Sequence, residues 1–131
     1  MNEQDILDLG TRDGTVLVFG GPYSNLQATE AMIREANELG ISPANIICTG
    51  DVVAYAGDPA ATTDVIMNWG VATVMGNCEE SFGAEADDCG CGFEEGTACD
   101  VMSRQWYAYA NAYLTPPQRA WMRGLPRRVV F

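Results

Sequence analysis

The stretch Asn45-Ile46-Ile47-Cys48-Thr49-Gly50-Asp51 decides the fold, because a short apolar run ends in a small-residue loop that carries an acid. A run such as Asn45–Cys48, bounded by turn residues, is typical of a buried strand. The arrangement occurs twice more: Thr15–Phe19 (TVLVF) leads into Gly20-Gly21-Pro22, and Val71–Met75 (VATVM) leads into Gly76-Asn77. The sequence therefore predicts three strands, each followed by a loop of small residues.

Helical patterns separate the three predicted strands. Apolar residues recur at roughly helical spacing from Asn25 to Leu39, and Gly40 fits the position just after a helix end. Asp58-Pro59 predicts the start of a second helix that runs to about Asn68. Alternating strands and helices predict an α/β fold with parallel strands and right-handed crossovers. In such folds ligands bind beyond the carboxyl ends of the strands, so we expect the three loops to converge on one crevice.

The second half of the chain departs from this alternation. Residues 79–100 hold eight acidic residues and three cysteines, and predict a long loop or insertion. Helical spacing returns from Asp100 to Tyr113, Thr115 is placed to cap a short helix through Met122, and 128–131 (RVVF) predicts a further strand. Residues 1–14 are interpreted as a polar lead-in. The length fits one domain over 1–131, and we expect either a continuation beyond Phe131 or a second copy to complete the sheet.

Composition excludes several classes of function. The formal net charge of −11 argues against a nucleic-acid partner, which requires clustered basic residues. No apolar stretch is long enough to span a bilayer and the first residues form no targeting signal, so we expect no membrane partner and a cytoplasmic location. The chain contains no histidine, so catalysis by this chain alone must use carboxylates, amides, thiols or backbone groups.

Cysteines form a second pattern of chemical interest. Cys89 and Cys91 are separated by one glycine, with Cys99 eight residues further on and Cys78 eleven residues earlier. Four thiolates can hold zinc, although this spacing is tighter than the usual zinc knuckle. Neighbouring thiols can also form a redox-active disulfide, and an ordered loop with free cysteines is the third interpretation.

The three loop motifs together resemble those of the calcineurin-like metallophosphoesterases. That family places a strand and an Asp-x-His-Gly-Asn motif first, then a Gly-Asp pair, then Gly-Asn-His followed by an acid. Here 21–26 (GPYSNL), 50–55 (GDVVAY) and 76–79 (GNCE) occupy the three places in order. The resemblance covers about residues 15–80 and implies half of the family's α/β sandwich.

The resemblance also implies roles for individual residues. Asp51 would be the carboxylate that bridges two divalent cations (manganese, iron or zinc), and Asn77 would bind the second cation. Cys78 stands where the family has a catalytic histidine. Gly21 and Tyr23 stand where the family has a metal-binding aspartate and histidine, so the first motif has lost two metal donors.

Three functional hypotheses follow and remain open at this point. The first is a metal-dependent phosphoesterase that hydrolyses a phosphate mono- or diester at Asp51, Asn77 and Cys78, with a small phosphate-containing ligand as its substrate. The second is a metallophosphoesterase-like domain that binds or regulates without hydrolysing. The third is a thiol or metal-binding protein centred on Cys78, Cys89, Cys91 and Cys99, with the fold as a scaffold.

Overall fold

The fold is described by a computed structural model that covers residues 5–131. In chain order the elements are β1 (Ile6–Asp8), β2 (Leu17–Phe19), α1 (Leu26–Glu38), β3 (Ile46–Cys48), α2 (Pro59–Trp69), β4 (Ala72–Thr73), α3 (Asn77–Gly83), α4 (Ala98–Tyr113), α5 (Pro116–Arg123) and β5 (Arg128–Val130). A single 3₁₀ turn, Pro43–Asn45, precedes β3. The prediction of an α/β fold with parallel strands is confirmed.

The larger sheet has three parallel strands in the order β2-β3-β4. Leu17 lies opposite Ile46 across the first pair of strands, and Ile47 lies opposite Ala72 across the second. All three residues of β3 are buried, which explains why its sequence is apolar without alternation. The three small-residue loops therefore leave the same edge of the sheet.

The first two helices begin and end close to the predicted bounds. The Asn25 side chain caps α1 by accepting a hydrogen bond from the Ala28 backbone N–H at 3.0 Å. Proline at the first position of α2 fixes the backbone there, and Gly70 closes that helix with a left-handed φ of 74°. Local capping signals were sufficient to place both helices.

A second sheet pairs β1 with β5 in parallel. The prediction of a strand at the C-terminal end is confirmed, and the interpretation of residues 1–14 as a lead-in is wrong for Ile6–Asp8. The Met75 backbone N–H donates to the Pro126 carbonyl at 2.8 Å and so ties the segment before β5 to the segment after β4. The strand β1 could not be predicted from the sequence, because it is flanked by acidic residues and its three residues are too few to show an alternating pattern.

The interpretation of 79–100 as one long loop is also corrected. Helix α3 continues through Gly83, and α4 begins at Ala98, so the irregular segment is 84–97. The α3 helix is anchored by Phe82, which is fully buried and stacks on Tyr107 with ring centroids 4.4 Å apart. The hydrophobic core joins β3 to residues of all five helices, among them Ala36, Ile66 and Met122.

The helices were compared with the length and apolar character that a membrane-spanning helix needs. The longest helix, α4, has 16 residues. Within residues 5–131 no helix is both long enough and apolar enough to cross a membrane. The cytoplasmic location stays a prediction.

Candidate functional site: a crevice between three loops

The three loops converge on a crevice, as their topology predicts. Asp51, Asn77 and Cys78, the three residues selected from the sequence as catalytic, all line one cavity of about 180 Å³. The other lining residues come from the first and second loops, from the segment after α3 and from α4: Tyr23, Ala54, Tyr55, Cys91, Phe93 and Trp106. The walls of the cavity are therefore formed by parts of the chain that lie far apart in sequence.

Backbone hydrogen bonds join the first and second loops residue by residue. Gly21 N–H donates to the Gly50 carbonyl at 3.0 Å, and Tyr23 N–H donates to the Asp51 carbonyl at 3.2 Å. Ser24 continues the series to Val52 at 2.8 Å. These bonds satisfy polar groups that a buried loop would otherwise leave unpaired, and they fix the two loops as one unit.

Glu79 joins the second loop to the third. Its Oε1 accepts hydrogen bonds from Asp51 N–H at 2.7 Å and from Gly76 N–H at 3.0 Å, and its Oε2 accepts from Val52 N–H at 3.1 Å. The residue is fully buried, and this desolvation raises the pKa of its carboxyl although the three donors oppose the shift. Glu79 is thus a clamp that holds both loops in place.

Two glycines make this clamp possible. A Cβ on Gly50, which has a φ of +99°, would stand 2.7 Å from the Gly76 nitrogen and 2.8 Å from Glu79 Oε1. A Cβ on Gly76 would collide with the Asp51 carboxylate. Glycine at positions 50 and 76 is therefore required by the close approach of the two loops, whatever the ligand.

The Asp51 side chain is fixed at the mouth of the crevice. Its Oδ1 accepts a hydrogen bond from the Cys78 backbone N–H at 3.3 Å. Its backbone is left-handed, with a φ of 56°. This hydrogen bond directs the carboxylate toward the start of α3.

Left-handed backbone is concentrated around the crevice. Besides Asp51, Tyr23, Ser24 and Tyr55 have positive φ values of 52°, 58° and 24°. Only one other non-glycine residue of the described chain, Glu85, shares this property. Such conformations cost of order 1–3 kcal/mol each and cluster at functional sites, where the surroundings impose them. The clustering marks the crevice as a candidate binding site independently of any motif.

The Tyr23 ring lies against Gly21, the residue at the position where the family that the chain resembles has a metal-binding aspartate. A Cβ built on Gly21 would stand 2.8 Å from the Tyr23 ring carbon Cζ and 2.9 Å from Cε2. Gly21 also has a φ of +64°, which side-chain-bearing residues rarely adopt. An aspartate at position 21 would need the Tyr23 ring to move and would have a left-handed backbone, as Asp51 has.

Asn77 and Cys78 both make contacts within the crevice. Asn77 Nδ2 donates to the Cys89 carbonyl at 3.0 Å, so its amide anchors the segment after α3. Cys78 is buried, and this burial, together with the Asp51 carboxylate beside it, raises the pKa of the thiol well above its usual value. Burial and the neighbouring carboxylate therefore both favour the protonated thiol.

Cys89 and Cys91 are bonded to each other in a disulfide. Cys99 is free and exposed. The structure therefore does not bring Cys89, Cys91 and Cys99 together as the thiolate set of the third hypothesis, because bonded sulfurs are not thiolate ligands. Cys91 instead lines the crevice, with its Sγ 3.7 Å from Asn77 Nδ2.

Few side chains of the crevice are free to bind a metal ion. Asp51 and Asn77 offer one carboxylate and one amide, while the Glu79 carboxylate is committed to three backbone donors. No group of three or more His, Cys, Asp or Glu side chains that could hold a metal ion occurs within residues 5–131. Two cations with a shared carboxylate need more ligands than these residues supply.

Sequence reasoning identified Asp51, Asn77 and Cys78 but missed other residues of the site. Glu79 was one acid among eight in its segment, and only its place three residues after Gly76 could have indicated a cap. Tyr55, Phe93 and Trp106 carry no local signal of a shared cavity, since each comes from a different part of the chain.

No family model, curated protein or solved structure matches this chain. The resemblance to metallophosphoesterases therefore stands on the three loop motifs alone.

Proposed function

We propose that this chain is a metallophosphoesterase-like domain that binds a ligand in its three-loop crevice and does not itself hydrolyse phosphate esters. The observation that carries the proposal is the Tyr23 ring lying against Gly21, at the place where the family's first metal motif supplies an acid. The ring leaves no room for that acid. A protein that kept a two-metal mechanism would need the donor that Tyr23 displaces.

Charge supports binding without hydrolysis. The side chains that line the crevice include one acid, Asp51, and no arginine. A phosphate ester in this cavity would face a carboxylate with no cationic partner, in a protein of net charge −11. Phosphate esters are therefore disfavoured as ligands unless a divalent cation accompanies them.

Turnover of a generic aryl phosphate tests the proposal. Wild type and Asp51→Asn are assayed with manganese, iron and zinc in turn, after purification without chelator. We expect both proteins to show the same background rate with every metal. Metal-dependent turnover in the wild type that disappears in Asp51→Asn would overturn the proposal.

That contrary result would favour the second candidate, a phosphoesterase with a rebuilt site. The specific observation in its favour is the fixed Asp51 carboxylate, held by Cys78 N–H on a left-handed backbone. Asp51 and Asn77 would then hold one cation that polarises the phosphate ester, with the remaining ligands from water or another chain.

A further inference from the structure

We propose that the crevice is a binding site for an organic ammonium cation, with a methylated ammonium group as the preferred ligand. The inference rests on the proposed function to the extent that the crevice is not filled by a two-metal centre. It adds the chemical class of the ligand. Three properties of the crevice support it: its aromatic walls, its charge and its size.

Four of the nine residues that line the crevice are aromatic. Tyr23 and Tyr55 stand nearly perpendicular, with ring centroids 5.2 Å apart and an interplanar angle of 84°. Tyr55 in turn contacts Trp106 at 5.3 Å and 56°, and Phe93 lines the same cavity. Rings set at angles to one another can surround a compact group on several sides, and ring faces attract cations within about 6 Å.

These rings are accessible even though aromatic side chains usually bury themselves. Tyr23, Tyr55 and Phe93 are 41%, 55% and 39% exposed. Tyr23 and Tyr55 also have left-handed backbones, which residues other than glycine seldom adopt. Aromatic surface at this crevice is therefore open to a ligand.

The charge of the crevice selects a cation. Asp51 lies in the same cavity as the rings and is its one ionisable carboxylate, while the lining includes no arginine to neutralise it. The buried Glu79 carboxyl group lies directly behind the Asp51 backbone, 2.7 Å from its nitrogen. A net charge of −11 adds a negative field over the whole molecule, which attracts cations and repels anions.

The size of the crevice selects a small group. Its volume of about 180 Å³ is below the roughly 300–1,000 Å³ of pockets that bury drug-sized ligands. A methylated ammonium head group is compact, poorly hydrated and positive, and it matches a cavity of aromatic walls with one carboxylate. The head group can be carried by a small molecule or by a methylated lysine side chain, because both present the same chemistry.

Calorimetric titration with choline tests the inference on the intact wild-type protein. The matched probe is 3,3-dimethyl-1-butanol, in which an uncharged carbon replaces the nitrogen at the same shape. We expect choline to bind at least about tenfold more tightly than this alcohol. Equal binding of the two, or no binding of choline, would overturn the inference while leaving the turnover test of the proposed function unaffected.

Two variants locate the binding. Tyr55→Leu removes an exposed ring and should weaken choline binding about 2- to 30-fold, the range expected for one cation–π contact. Asp51→Asn should weaken choline but not the alcohol. The control is Tyr113→Leu, which removes an equally exposed ring from outside the crevice. A loss in Tyr113→Leu as large as in Tyr55→Leu would contradict the assignment.

The source of the group is distinguished by a further titration with a blocked trimethyllysine and with the same blocked lysine unmethylated. Tighter binding of trimethyllysine than of choline indicates a protein ligand, and the reverse order indicates a small molecule. Both orders support the ammonium site. Preference for the unmethylated lysine would overturn the assignment of a methylated group.

Discussion

Replacing Glu79 tests the interpretation of that residue as a clamp between two loops. Glu79→Ala removes the acceptor of three backbone N–H groups, those of Asp51, Val52 and Gly76. A buried donor left without a partner costs about 1–3 kcal/mol, and a partly hydrated donor costs about 1 kcal/mol. The Val52 bond is buried and the other two are partly buried. The free energy of unfolding should therefore fall by about 3–5 kcal/mol.

A second substitution at the same position gives a graded result. Glu79→Gln keeps an oxygen that can accept from Asp51 and Gly76 but turns an amide group toward Val52, which is itself a donor. One buried donor then loses its partner, so the loss should be about 1–3 kcal/mol. Wild type, Glu79→Gln and Glu79→Ala should thus rank in that order of stability.

Urea unfolding followed by tryptophan fluorescence measures these differences. The matched control is Glu80→Ala, because Glu80 is the next residue of the same helix and its ion pair with Arg127 lies at the surface. That variant should unfold at the wild-type midpoint. If Glu79→Ala were as stable as Glu80→Ala, the clamp would not hold the loops and the account of the crevice would fail.

Three further predictions concern the same loops. Burial raises the pKa of Glu79, so the folded protein keeps a proton that the unfolded chain releases. The free energy of unfolding should therefore fall as pH rises above about 4.5, the ordinary pKa of the group. Unfolding measured at several pH values should show this decrease for wild type and should not show it for Glu79→Gln. Gly50→Ala should lower the free energy of unfolding by about 2 kcal/mol or more, measured by thermal unfolding, because the added Cβ would contact the third loop at a residue of positive φ. The control is Gly57→Ala, whose added Cβ would have no atom within 4 Å, and its stability should be that of wild type. Alkylation under denaturing conditions should label three of the five cysteines before reduction and all five after it; five labels without reduction would contradict the Cys89–Cys91 bond.

The sequence was sufficient to predict the sheet and its loops. Each of the three predicted strands combines an apolar run with a glycine-containing loop, and these local signals also fix the two intervening helices. Convergence of Asp51 and Asn77 then follows from topology, because parallel strands end at the same edge. The strand at Ile6–Asp8 was missed because its partner, β5, lies more than a hundred residues away.

The aromatic character of the crevice could not be predicted. Tyr23 and Tyr55 belong to loops, Phe93 lies in the irregular segment and Trp106 lies in α4, so no periodicity relates them. The role of Glu79 was also hidden, since its carboxyl group acts through backbone atoms of a loop 27 residues earlier. Both features depend on tertiary contacts that spacing along the chain does not encode.

The number of Mn²⁺ ions bound per chain tests the central claim most directly. The claim is that the crevice lacks a two-metal centre because Tyr23 covers Gly21 and Glu79 is committed to the backbone. Equilibrium dialysis combined with electron paramagnetic resonance counts bound ions and reveals any magnetic coupling between neighbours. The account predicts at most one ion per chain, uncoupled and lost in Asp51→Asn. Two coupled Mn²⁺ ions per chain that depend on Asp51 would contradict it.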